Sequence, residues 1–179
     1  MRVLIDACVL YPTVMREVIL GCAQAGLFEA KWSARILEEW ARATIKLGPA
    51  AEIFARGEIA TLSLQFPNAI VPQNAGLEQR LWLPDENDIH VLASAVAGSC
   101  DAILTSNAKD FPRDFLGDED LTRWDPDGFM CGLFDADART VQSVCDGVLA
   151  TANKLSDRPW EMRALMKKAR MPRLGKRLD

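Results

Sequence analysis

Two short apolar runs, each closed by a polar residue, constrain this chain most. Arg2-Val3-Leu4-Ile5 ends at Asp6, and Asp101-Ala102-Ile103-Leu104 ends at Thr105. Ala69-Ile70-Val71 is a third brief run, and Leu121 to Trp124 a fourth. Helical stretches separate them. Short apolar strands alternating with helices predict an α/β fold whose parallel sheet is covered on both faces.

The helical stretches can be placed. Val14, Val18, Ile19, Cys22 and Ala25 share one stripe over about 13–25. Ser33 is a cap for a helix to about Leu47, with Ile36, Leu37, Trp40 and Ile45 inward. Gly48-Pro49 stops it, and Pro49 opens another to about Leu64. Asp85 caps a helix whose apolar face is Ile89, Leu92, Ala93 and Val96, and Gly98 ends it. Asp125-Pro126-Asp127-Gly128 reads as a turn. Beyond it the texture becomes helical: one long amphipathic helix from Leu133 to Ala152, then a second from about Pro159 to Met171, ended by Pro172. The expected division is an α/β body over 1–128 and a C-terminal helical extension with a basic tail over 129–179.

Ligand sites in parallel sheets lie beyond the carboxyl ends of the strands. Asp6 follows the first strand. Asp88 begins a helix that feeds the Asp101–Thr105 strand, so that helix starts at the same edge. Ser106, Asn107 and Asp110 follow that strand. Connectivity alone therefore brings Asp6, Asp88, Asn107 and Asp110 to one rim. Carboxylates gathered there repel and raise one another's pKa, and a divalent cation relieves this. Oxygen-only donors favour Mg²⁺ or Mn²⁺ over zinc, and such sites commonly serve phosphoryl transfer. The plain structural readings are a first-turn acid at Asp88, a turn residue at Asp6 and a surface charge at Asp110.

Other features narrow the classes. The five cysteines include no C-x-x-C pair and there is one histidine, His90, so a zinc cage is disfavoured and reduced thiols are expected. No Gly-rich phosphate loop is present. No window approaches the roughly 18 apolar residues of a membrane span. An Asp interrupts the N-terminal apolar run after a few residues, so a cytoplasmic location is expected. His90, two residues from Asp88, is expected to point elsewhere as a structural or interface group. The five tryptophans are scattered rather than set out as a stacking platform. The net charge of −4 hides an asymmetry: residues 154–179 hold nine Lys/Arg and three Asp/Glu. A basic tail on an acidic body suits a nucleic acid or an acidic partner, or a solvated helix face.

At these residues the chain resembles the PIN-domain ribonucleases, especially the VapC-like toxins of toxin–antitoxin pairs. Val3-Leu4-Ile5-Asp6-Ala7-Cys8-Val9-Leu10 is similar to that family's first strand and Asp. Pro84-Asp85-Glu86-Asn87-Asp88-Ile89-His90 and the alanine-rich residues after it resemble its Asp-rich helix start. Asp101 through Pro112 resembles its last strand and active-site loop. The likeness covers about 1–128, and the ending Met171-Pro172-Arg173-Leu174 resembles an extension of one subgroup.

The resemblance implies a three-layer α/β/α PIN-like fold and a metal-dependent endoribonuclease that uses Mg²⁺ or Mn²⁺. It would leave 5′-phosphate and 3′-hydroxyl ends. It also implies a homodimer and a small antitoxin partner. It makes Asp6 and Asp88 metal carboxylates and adds Glu39 from Glu38-Glu39-Trp40, with Glu38 as the alternative. Asn107 stands where the family more often has Asp, and Asp110 would supply the missing carboxylate. Thr105, Ser106, Arg35 and Lys109 are candidates for substrate phosphates. A non-catalytic PIN-like module that binds RNA or protein, and a different Mg-dependent phosphohydrolase on a Rossmann-like sheet, are the alternative functions.

Overall fold

Arg2–Ile5 forms β1, and Val3, Leu4 and Ile5 are all fully buried. Successive side chains of a strand point to opposite faces, so both faces of the sheet are covered here. The computed structural model describes all 179 residues. In chain order, α1 (Ala7–Leu10) and α2 (Thr13–Gln24) follow, then β2 (Glu29–Ser33), α3 (Ala34–Ala43) and α4 (Pro49–Gln65). Next come β3 (Ile70–Val71), α5 (Ala75–Arg80), α6 (Ile89–Ala97), β4 (Ala102–Leu104), α7 (Arg113–Gly117) and β5 (Thr122–Trp124). The chain ends with α8 (Pro126–Ala136), α9 (Ala138–Lys154), α10 (Met162–Lys168) and α11 (Pro172–Arg177).

All five strands run parallel in the order β3-β2-β1-β4-β5. The expected parallel sheet, flanked by helices in a three-layer α/β/α arrangement, is what the chain adopts. The chain moves outward from β1 on both sides, so the switch point lies between β1 and β4.

The chain divides into two compact units. One comprises Met1–Tyr11 and Phe28–Trp124; the other comprises Pro12–Leu27 and Asp125–Asp179. The second unit thus takes up the chain four residues before the expected extension, at Asp125, and also holds α2. Inside it, Gly21 of α2 lies so close to α9 that an added Cβ would sit 2.6 Å from Val144 Cγ1.

Several local expectations are corrected. β2 was not legible: it reads Glu-Ala-Lys-Trp-Ser and carries two charges. Ile45 is half exposed because α3 stops at Ala43 and a 3₁₀ turn over Ile45–Leu47 reorients the chain. Asp125-Pro126-Asp127-Gly128 is the start of α8, not a turn. Asp125 accepts from Gly128 N at 2.9 Å and Pro126 takes the first helical position, where no N–H is needed. The single helix expected over Leu133–Ala152 is two, broken at Asp137, whose side chain caps α9 through Thr140 N. Pro172 ends no helix but opens α11, where Leu174 is fully buried.

Candidate active site

The geometry is built on the strand ends. Asp6 immediately follows β1, and its backbone N–H donates to Leu104 O of β4 at 3.1 Å. It occupies the N-cap position of α1, yet its side chain caps nothing. Its Oδ2 instead accepts from Thr105 Oγ1 at 2.7 Å and Cys8 Sγ at 3.0 Å. Burial, then the charge and hydrogen bond of Asp6, push the Cys8 thiol up to about 12, so it keeps its proton for that donation. Asp6 is 7 % exposed and Thr105 1 %, so the pair is held rigidly at the switch point.

Asp88 likewise sits at an N-cap, that of α6, without capping it. Asp88 therefore gives α6 no capping hydrogen bond, and only its charge meets the helix dipole there. Asp85 does cap: its Oδ1 accepts from Asn87 N at 2.9 Å in the 3₁₀ turn Glu86–Asp88 that leads into α6. After β4, Asn107 N donates to Thr105 Oγ1 at 3.0 Å, and Asn107 Nδ2 donates to Asp110 Oδ2.

These links gather Asp85, Asp88 and Asp110, each offering a carboxylate oxygen within 4.8 Å of the others. Burial, followed by the charges of Asp6, Asp85 and Asp110, pushes Asp88 up to about 6, with His90 opposing. Asp6 is thus felt at the cluster without belonging to the tightest group. The convergence of carboxylates at one rim agrees with the connectivity argument. The sequence pattern gives Asp85 only a capping role; its position three residues before Asp88, across a single tight turn, is the signal for a second.

Glu39 is not in that group. It lies on α3, with Oε1 3.3 Å from Arg35 Nε and 2.9 Å from His90 Nε2. Burial raises the Glu39 carboxyl, but His90 and Arg35 more than offset it, leaving it below its ordinary value. The alternative, Glu38, is turned to Arg56 and Arg42, which hold it down at about 2. His90 does not point away from the acids as expected. It is 3 % exposed, and its approach to Glu39 is off the N–H axis, so neither ring nitrogen completes a directed hydrogen bond. Arg35 is spoken for by Glu39, Ser106 N donates to Cys8 Sγ at 3.3 Å, and Lys109 is exposed on the same loop.

The donor set suits a hard divalent cation: oxygens only, mutually close, with one carboxyl raised by burial and then by its neighbours. Asp85, Asp88 and Asp110 would hold it, with Asp6 beside them. The cysteines are all free, four of them buried, and none joins this group.

Fold and site together define a parallel α/β domain with a possible acidic metal-binding group at the carboxyl end of its sheet. The PIN-domain family model matches residues 2–109, more than half of the chain. The chain is therefore a member of the PIN-domain family, whose members are generally nucleases. No curated protein and no solved structure matches it significantly. No helix is long and apolar enough to cross a membrane.

Proposed function

We propose that this protein is a divalent-metal-dependent endoribonuclease, the toxin of a toxin–antitoxin pair, working in the cytoplasm with Mg²⁺ or Mn²⁺. The observation that carries the reading is the acid cluster: Asp85, Asp88 and Asp110 within 4.8 Å, with Asp6 coupled to Asp88. A bound divalent ion there would neutralise charge on a scissile phosphate and favour attack by water. The chain's own part is positional. Thr105 and Cys8 fix one oxygen of Asp6 and leave the other free. Asn107 restrains Asp110. Lys109 and Ser106, exposed on the rim, would meet the neighbouring phosphates. Glu39, held by Arg35 and His90, is the further carboxylate this reading would enlist.

A homodimer and a small antitoxin belong to the same reading. Ile53, Phe54 and Leu64 stand out from α4 at 74, 66 and 85 % exposure, apolar surface of the kind a partner covers. Expression of the wild-type chain should arrest growth, and Asp6→Asn should relieve it. RNA cut by purified protein should carry 5′-phosphate and 3′-hydroxyl ends. Cyclic 2′,3′-phosphate ends would contradict the mechanism.

One observation favours the alternative of a non-catalytic RNA- or protein-binding module. Asn107 brings no charge, and its amide occupies an oxygen of Asp110. That reading gains if folded protein binds divalent ions no better than the Asp88→Asn variant.

A further inference from the structure

A cavity of about 120 Å³ opens where the carboxyl ends of β2 and β3 meet α6. Its walls are Ile70, Val71 and Pro72 on one side and the start of α3 on another, and His90 and Ser94 close it. His90 is almost wholly buried and its Nδ1 has no partner. Burying such a group without a hydrogen bond is unfavourable, so it marks a place built for an incoming polar atom.

The polar groups around it have unused capacity. Ser33 Oγ accepts from Ile36 N at 3.2 Å, which leaves its own hydrogen to donate. Ser94 Oγ donates to His90 O at 2.7 Å, which leaves its lone pairs. Gln73 Nε2 donates to Glu78 Oε1 at 3.0 Å, which leaves the Gln73 carbonyl oxygen as an acceptor. The cavity therefore offers mixed donors and acceptors between apolar walls. An enclosed apolar cavity of roughly 150 Å³ accepts benzene, so this smaller, open one takes at most the leading edge of a single six-membered ring and no fused pair. Its lining carries one acid, Glu78, and one base, Arg35, whose charge is already met by Glu39 at 3.3 Å, so it presents no net positive charge to a bare anion.

We propose that this cavity receives a single pyrimidine base of an RNA strand, splayed from the stack and read along its edge by His90, Ser33, Ser94 and Gln73. His90 joins the two places: it lines the cavity from the first turn of α6, and Asp88 sits at the N-cap of that same helix. A base held here thus fixes which phosphate reaches the acid cluster. This specificity role rests on the nuclease reading, and base binding can be tested apart from it.

The chain has one histidine, so its ring protons give one unambiguous set of NMR signals. Cytidine and uridine, titrated in EDTA, should shift those signals saturably, while adenosine and inorganic phosphate leave them in place. Gln73→Ala, at an exposed position, should weaken the pyrimidine response about fivefold to tenfold by removing an edge acceptor. Ser94→Leu should abolish it by filling the cavity. Equal shifts with adenosine, shifts with phosphate alone, or no shift from any nucleoside would each overturn the proposal. RNA left uncut by a protein that still binds cytidine would instead count against the nuclease reading and leave the pocket standing.

Discussion

Asp88 concentrates the physics of this protein in one side chain. Its carboxyl rises from 3.8 to about 6, first through burial and then through Asp6, Asp85 and Asp110. The folded state therefore binds more protons than the unfolded state between those values. Stability falls as pH rises through that window and stays lower above it. In EDTA, Asp88→Asn should raise stability at pH 7 by on the order of 1 kcal/mol, reduced by partial exposure, and should gain almost nothing at pH 3. Thermal melts at the two pH values check this. Glu39 has the opposite sign: its lowered carboxyl contributes stability that is lost as pH falls. The rim that holds Asp6, Asp88, Asn107 and Asp110 was legible because connectivity alone fixes it. The place of His90 was not. Helical spacing was applied from Asp88, but Asp88 is the cap after a 3₁₀ turn and α6 begins at Ile89, so that angle does not run through it.

At the scale of elements, the strands with continuous apolar runs were readable and β2 was not. Its five residues carry Glu29 and Lys31, which pair with each other at 2.6 Å, so charge hides a strand placed between β1 and β3. The helix borders near Asp125, Asp137 and Pro172 were misplaced for one shared reason. Asp and Pro open helices as readily as they make turns, and only tertiary partners decide. Asp127 shows such a partner. It is 6 % exposed and accepts from Arg173 N, Arg173 Nε and Leu174 N at 2.9–3.1 Å, so a residue of α8 caps α11. Asp127→Ala strands those donors and should cost about 2–3 kcal/mol. Limited proteolysis should then release the C-terminal segment early. Gly21→Ala should cost about 1–3 kcal/mol by forcing a methyl into Val144, and denaturant melts would show it.

For the molecule as a whole, charge is unevenly distributed. The basic tail expected from the sequence is partly neutralised in place: Arg163 pairs with Asp179, Arg173 with Asp125 and Asp127, and Arg177 with Asp135. These three arginines are thus tied to acids within their own unit. The acids of the candidate site face the reverse situation, with like charges crowded together. Mn²⁺ at about a hundred times its dissociation constant should stabilise the wild-type protein by about 2.7 kcal/mol, a melting shift of roughly 5–10 °C. The shift should vanish in Asp88→Asn.

The most direct test of the central claim is cleavage of a mixed RNA panel by purified protein in Mg²⁺, in Mn²⁺ and in EDTA, beside Asp6→Asn and Asp88→Asn. Cutting that needs the metal and disappears in both variants is the predicted result. Equal cutting by the folded variants, or cutting that persists in EDTA, would contradict a nuclease built on this acid cluster.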